Sequence, residues 1–165
     1  MPIHYDLPVW RPPSEANSFI LQATFGCSFN RCSFCSMYRT KSFAIRPLAA
    51  IQTDLQTVAR RDPNIRRVFL ADGDALAAPT DHLLAILQAL RVAFSRLERV
   101  SSYALPANLL KKSVAELAQL REAGLTLLYY GIETGSADLL KRITKGATPA
   151  TMITFSSAHM LAPDG

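Results

Sequence analysis

The stretch Phe19 to Tyr38, FILQATFGCSFNRCSFCSMY, decides how this chain is read. Its first six residues, Phe19 to Thr24, form an apolar run that reads as a strand. The strand feeds Cys27, Cys32 and Cys35, the three cysteines of the whole sequence, gathered within nine residues. An odd cysteine count, behind an N-terminus with neither a basic start nor an apolar run, excludes a disulfide framework. Clustered thiols of this kind point to metal or redox chemistry. Zinc is the weaker match, because a structural zinc site takes four ligands and His4, His82 and His159 stand far from the cysteines. Soft thiolates closely spaced on one loop suit an iron–sulfur cluster, and three of them facing four irons leave one iron open. Buried small hydrophobes or a partial zinc knuckle are the alternatives the cysteines alone leave standing.

Beyond this loop the chain alternates. Pro47 suits a first helical turn, with Ile51, Leu55 and Val58 on one face. Val68 to Ala71 is a short strand, followed by a helix that starts at Thr80 and Asp81 and carries Leu83, Leu87 and Leu90. A third strand near Arg99 to Leu105 leads to a helix with Val114, Leu117 and Leu120, stopped at Gly124. A fourth, Thr126 to Ile132, precedes a helix from about Ser136 to Ile143, and a last helical segment is expected from Pro149 to about Met160, before a turn-like Pro163-Asp164-Gly165. Alternation of this sort predicts an α/β fold of parallel strands and crossover helices, whose strand ends carry the chemistry. Residues 1–18 hold Pro2, Pro8, Pro12 and Pro13 and are expected to be an extended arm anchored by Trp10, ahead of a core domain over 19–165.

Composition sets outer limits. The chain has 165 residues, 49% hydrophobic and 19% charged, with 7 Gly and 10 Pro, which suits one globular unit and excludes disordered, collagen-like and heptad-repeat classes. No window reads as a membrane span, and a cytoplasmic location is the expectation. The net charge is +5. Arg31, Arg39, Lys41 and Arg46 have no acidic residue among them from Cys27 onward, and they are read as a solvated basic face rather than as holders of an anionic substrate or a reductase.

The C-x4-C-x2-C spacing, with Phe34 just before the last cysteine and the loop at the end of the first strand, resembles the radical S-adenosylmethionine superfamily, in a branch with four rather than three residues between the first two cysteines. The resemblance runs from about Arg11 to about Thr151. It implies that Cys27, Cys32 and Cys35 hold a [4Fe-4S] cluster and that Phe34 packs near the adenine of S-adenosylmethionine. It also implies that the open iron chelates the amino and carboxylate groups of that compound, which one electron cleaves to a 5′-deoxyadenosyl radical. Asp72-Gly73-Asp74 stands where the superfamily commonly has Gly-Gly-Glu, which contacts the methionine amino group, with Asp74 at the Glu position one methylene shorter. Glu133, in Gly131-Ile132-Glu133-Thr134-Gly135-Ser136, matches a G-x-E-[ST]-G-S segment and is a candidate cofactor contact.

Each of these has a plainer reading: a turn with Asp72 or Asp74 capping backbone amides, a helix N-terminal carboxylate at Glu133, an N-cap at Ser136. Ser101, Ser102 and Tyr103 are given no role, and Met37 and Tyr38 are read as packing. The superfamily core has six strand-helix units and four are legible here, so the expected fold is a partial (β/α) TIM-like barrel. Three explanations of such a chain are open on the resemblance: a fragment or frame-shifted product, a half expected to complete itself by association, or a minimal protein expected to keep the cluster without the full reaction. Its fourth strand would be an apolar edge open to self-association. The implied partners are an unknown substrate and an electron donor such as a flavodoxin or ferredoxin. The competing functions are a catalytically inactive metal-binding or interaction module and an RNA-modifying enzyme. No aromatic and basic surface typical of single-stranded RNA binding is readable, so nucleic acid is not the expected partner.

Overall fold

The computed structural model describes residues 3–153. The elements run β1 (Phe19–Gln22), β2 (Thr24–Phe25), β3 (Ala44–Ile45), α1 (Leu48–Ala59), β4 (Arg67–Ala71), α2 (Thr80–Ala93), β5 (Arg99–Ala104), α3 (Pro106–Leu109), α4 (Val114–Glu122), β6 (Leu125–Tyr130) and α5 (Ala137–Arg142). Strands β1, β4, β5 and β6 pair in parallel in that order, and β2 pairs antiparallel with β3. Sequential parallel strands joined by crossover helices are the build of a (β/α) barrel. Among the described residues four βα units are present as expected, in an open arc that closes no barrel.

The pleat sorts the side chains. Leu21, Val68, Leu70, Val100 and Leu125 join Ile51, Leu55, Leu83, Leu87 and Leu90 in one buried cluster, so the strands' outer faces are sealed by α1 and α2. Each such side chain contributes about 1.5–3 kcal/mol of burial. Phe69, Tyr103 and Tyr129 lie on the other side of the sheet, with ring centroids 5.1 to 6.3 Å apart. Strand β6 ends the sheet, and among the described residues no strand pairs with its outer edge.

Several local expectations change. The run Phe19 to Thr24 is not one strand: β1 stops at Gln22, because the Ala23 carbonyl accepts Arg46 N (3.1 Å) and Thr24 turns to pair with Ile45. Pro47 is the N-cap of α1 rather than its first residue. One turn of helix, α3, follows β5 with Pro106 at its first position. Ser136 caps α5 through Leu139 N, as the plainer reading had it. Residues 149–153 are helical, while the rest of the expected last helix, His159 and the closing turn lie outside the described residues.

The N-terminal segment is tied to the sheet by its own polar groups. Tyr5 donates to the Ile20 carbonyl at 2.7 Å, and Asp6 and Gln22 exchange two hydrogen bonds at 2.9 and 3.0 Å. The Trp10 indole donates to the Met37 carbonyl at 3.2 Å although the ring is 45% exposed. Glu15, fully buried, accepts from Arg99 and Tyr129 at 2.9 and 2.7 Å. Among the described residues no helix is long and apolar enough to cross a membrane.

Candidate metal and cofactor site

Parallel strands deliver their carboxyl ends to one edge, and the expected site residues gather there. Gly26, at a φ of +66°, turns the chain out of β2 into the cysteine loop. The loop is held by backbone acceptors rather than by regular structure. Arg39 donates to the carbonyls of Asn30 (3.0 Å), Cys32 (2.6 Å) and Cys35 (3.1 Å). Asn30, itself at a φ of +43°, donates to the Tyr38 carbonyl at 2.8 Å. Ser33 N reaches the Ile143 carbonyl at 2.9 Å, which fastens the loop to the end of α5.

Cys27, Cys32 and Cys35 are free and half-buried along this loop. Burial raises the pKa of Cys27 and of Cys32, and at Cys32 the Lys145 ammonium pulls the other way. Such thiols keep their protons until a metal displaces them. Among the described residues no three His, Cys, Asp or Glu side chains converge on a single-ion site. A cube of irons spreads its thiolates over a wider triangle than one ion does, so the loop remains a fitting donor set.

Half of the basic run is not a solvated face. Lys41 is buried with its Nζ 2.8 Å from Asp72 Oδ2, and Arg46 is buried with its guanidinium 2.8 Å from Asp54. Arg31 and Arg39 keep the exposure that was expected of all four, Arg39 with its guanidinium on three carbonyls.

At the end of β4 the three consecutive residues have separate tasks. Asp72, with no exposed surface, accepts from Gln22 Nε2 (2.9 Å) on one oxygen and from Gly26 N and Lys41 Nζ (2.8 Å each) on the other. Its carboxylate is committed inside the protein. Gly73 lies against the loop: a Cβ there would stand 2.5 Å from Tyr38 Cε2 and 3.0 Å from Cys27 Cβ. Gly73→Ala is therefore expected to cost about 1–3 kcal/mol through overpacking. Thermal unfolding checks this, and an unchanged midpoint would contradict the close approach.

Asp74 is buried too, accepting on Oδ2 from Ser28 and Asn108. Its other oxygen, Oδ1, has no partner among the described residues. Burial is the largest influence and raises its pKa from 3.8 to about 6, against the lowering effects of Ser28, Asn108, Lys111 and Lys112. A carboxyl that is more basic folded than unfolded stabilises the fold fully below about pH 4 and loses that contribution as pH rises through about 6. The difference corresponds to about 3 kcal/mol. Urea unfolding of the parent and of Asp74→Asn is expected to show the parent's advantage shrinking by about that much from pH 4 to 7. A constant difference would refute the shift.

The end of β6 supplies a third group. Glu133, at a φ of +63°, takes Lys145 Nζ on Oε1 at 2.8 Å, and the same ammonium lies 5.5 Å from the Phe34 ring centroid. Phe34 itself is 53% exposed. Phe34, Glu133 and Cys32 thus share one buried lysine that sequence reasoning passed over, as it passed over Ser28 and Asn108 at Asp74. The α3 turn that carries Asn108 was signalled by Pro106, but the contact itself depends on β4 and β5 being neighbours.

Three thiols and an unpartnered carboxylate oxygen at the carboxyl edge of an open parallel βα arc define a barrel-type α/β protein with a cysteine loop at its mouth. The chain belongs to the Radical SAM superfamily, whose sequence profile matches residues 21–155. Two solved structures of the cobalamin-dependent S-adenosylmethionine radical enzyme OxsB have a similar fold. The one with aqua-cobalamin and S-adenosylmethionine bound superposes with a TM-score of 0.66 at 20% identity, over 82% of this chain and 21% of that one. The one with aqua-cobalamin bound gives 0.65 at 21% identity, over 81% and 21%. The chain thus spans about a fifth of the length of these enzymes. No curated protein matches the sequence.

Proposed function

We propose that this chain binds a [4Fe-4S] cluster through Cys27, Cys32 and Cys35 and binds S-adenosylmethionine at the open iron, as the core of a radical enzyme acting on an unknown substrate. Superfamily membership implies both groups. The observation that carries the reading to these residues is the buried, unpartnered Asp74 Oδ1 beside the cysteine loop. When bound, the pair supplies one-electron reductive cleavage to methionine and a 5′-deoxyadenosyl radical, which takes a hydrogen atom from substrate.

The protein's own groups then have distinct tasks. The three thiols lose their protons to ligate iron, and Arg39 holds the loop carbonyls so that the sulfurs keep one spacing. Asp74, ionised once its proton has gone to solvent above about pH 6, would accept on Oδ1 a hydrogen bond from an N–H of the methionine amino group, whose nitrogen keeps its lone pair for the open iron. Lys145 balances negative charge beside Cys32, and Glu133 keeps that ammonium in place. Phe34, partly exposed, offers its ring to the adenine. On this reading the chain works in the cytoplasm with a flavodoxin- or ferredoxin-type donor, and self-association along the outer edge of β6 belongs to the same proposal.

The test is an electron paramagnetic resonance spectrum of the anaerobically reconstituted, dithionite-reduced protein with and without S-adenosylmethionine. A four-iron signal that changes on addition is the expected result. A signal indifferent to the compound favours the inactive metal-binding module, and no cluster at all overturns the proposal.

A further inference from the structure

Tyr38 lies three residues beyond Cys35 and is 3% exposed, yet its hydroxyl oxygen is buried with no hydrogen-bond partner among the described residues. Leaving such a group unpaired costs about 1–3 kcal/mol, and buried tyrosines ordinarily find a partner. The side chain is not free to seek one. Its Cε2 and Cδ2 press on Gly73, 2.5 and 2.8 Å from where a Cβ would stand, and Lys41 Nζ sits 5.9 Å from the ring centroid. Its carbonyl is pinned by Asn30 Nδ2 (2.8 Å) and Lys41 N (3.0 Å). The charged and titratable groups that act on the phenol are Asp72, Tyr103, Cys27 and Cys35, and the ring edge shares its contact on Gly73 with Cys27 Cβ, 3.0 Å from where the same Cβ would stand. Burial above all, and then Asp72, hold its pKa far above the ordinary phenol value, so the oxygen keeps its proton.

A fixed O–H with no acceptor among the described residues, on a ring packed beside Cys27, calls for an acceptor that arrives with a ligand. We propose that Tyr38 donates a hydrogen bond to a sulfur of the cluster held by Cys27, Cys32 and Cys35, and so raises the cluster's reduction potential. The inference rests on the cluster reading above. A hydrogen bond to a cluster sulfur withdraws negative charge and favours the reduced form. It gives Tyr38 a role that packing against Gly73 alone does not require, since phenylalanine would pack as well.

Tyr38→Phe removes the hydroxyl and keeps the ring. The expected result is unchanged iron per chain with a more negative midpoint in an anaerobic redox titration. At a fixed poise the ratio of reduced to oxidised cluster should fall by about threefold to tenfold, tenfold corresponding to about 59 mV for one electron. Site-specific 3,5-difluorotyrosine at position 38 keeps the hydroxyl and makes it a stronger donor, so it should move the midpoint the opposite way even where Tyr38→Phe fails to load iron. Equal midpoints in parent and altered proteins that carry a full cluster overturn the inference and leave the cluster reading intact. Weaker S-adenosylmethionine binding at an unchanged midpoint also overturns it, assigning the hydroxyl to the cofactor instead. Absence of a four-iron cluster in the parent overturns both.

Discussion

Cys32→Ala is expected to reduce the iron and sulfide retained after anaerobic reconstitution to background and to abolish the reduced-cluster resonance, while the far-ultraviolet circular dichroism stays that of the parent. Cys32 isolates the sulfur from the loop that carries it. The contacts of this residue that shape the loop are made by its carbonyl, which accepts Arg39 Nη2 at 2.6 Å and Cys35 N at 3.2 Å. Alanine preserves both. The half-buried side chain contributes little to the core, so the loss falls on ligation. With three thiols in the chain, removing one leaves two irons without a protein ligand. Normal iron content in the variant would defeat the ligand assignment. A binding partner still retained by the variant would point to an interaction module in which the loop has another use.

Lys41→Met is expected to cost about 3–5 kcal/mol, a large share of the 5–15 kcal/mol typical of a domain. The Lys41 side chain is 3% exposed and the Asp72 side chain fully buried, with Nζ and Oδ2 2.8 Å apart. The same ammonium reaches the carbonyl of Asp6 and lies 3.5 Å from its carboxylate. Removing Lys41 leaves the Asp72 charge out of water with only Gln22 and Gly26 N to satisfy it, and it unfastens the N-terminal segment from the loop. The pair need not be worth that much in itself, since the loss measures an orphaned charge. Lys41→Met with Asp72→Asn should accordingly cost clearly less than the two single variants together. Urea unfolding of the four proteins at one pH measures this. A Lys41→Met loss below about 1 kcal/mol would return Lys41 to the class of solvated surface charges.

Gly73 links the two predictions. It lets Tyr38 and Cys27 close on the end of β4, so the Asp72 anchor on one side and the thiols on the other are assembled by the same contact. Damage to the anchor is therefore expected to loosen the loop as well as the fold.

Much of this was open to inspection in the linear order. The strand that delivers the cysteines, the C-x4-C-x2-C spacing, the alternation of apolar runs with leucine stripes, and the stop at Gly124 are local patterns, and local patterns follow from backbone sterics and side-chain period. Parallel pairing of β1, β4, β5 and β6 followed from that alternation, and so did the meeting of loop, β4 end and β6 end at one edge. What the sequence could not settle was the fate of the charged and polar side chains. Lys41 and Asp72 are 31 residues apart, Ser28 and Asp74 46, and Asn108 and Asp74 34. Whether such groups are solvated or buried depends on partners that only chain closure brings within reach. Four basic residues in a row of acid-free sequence look like a surface, and the fold buries two of them because carboxylates arrive from α1 and from the end of β4. The same holds in reverse at Asp74 and Tyr38. Tertiary packing took both out of water and left one oxygen of each without a partner among the described residues, and no spacing along a chain records a hydrogen bond that is missing.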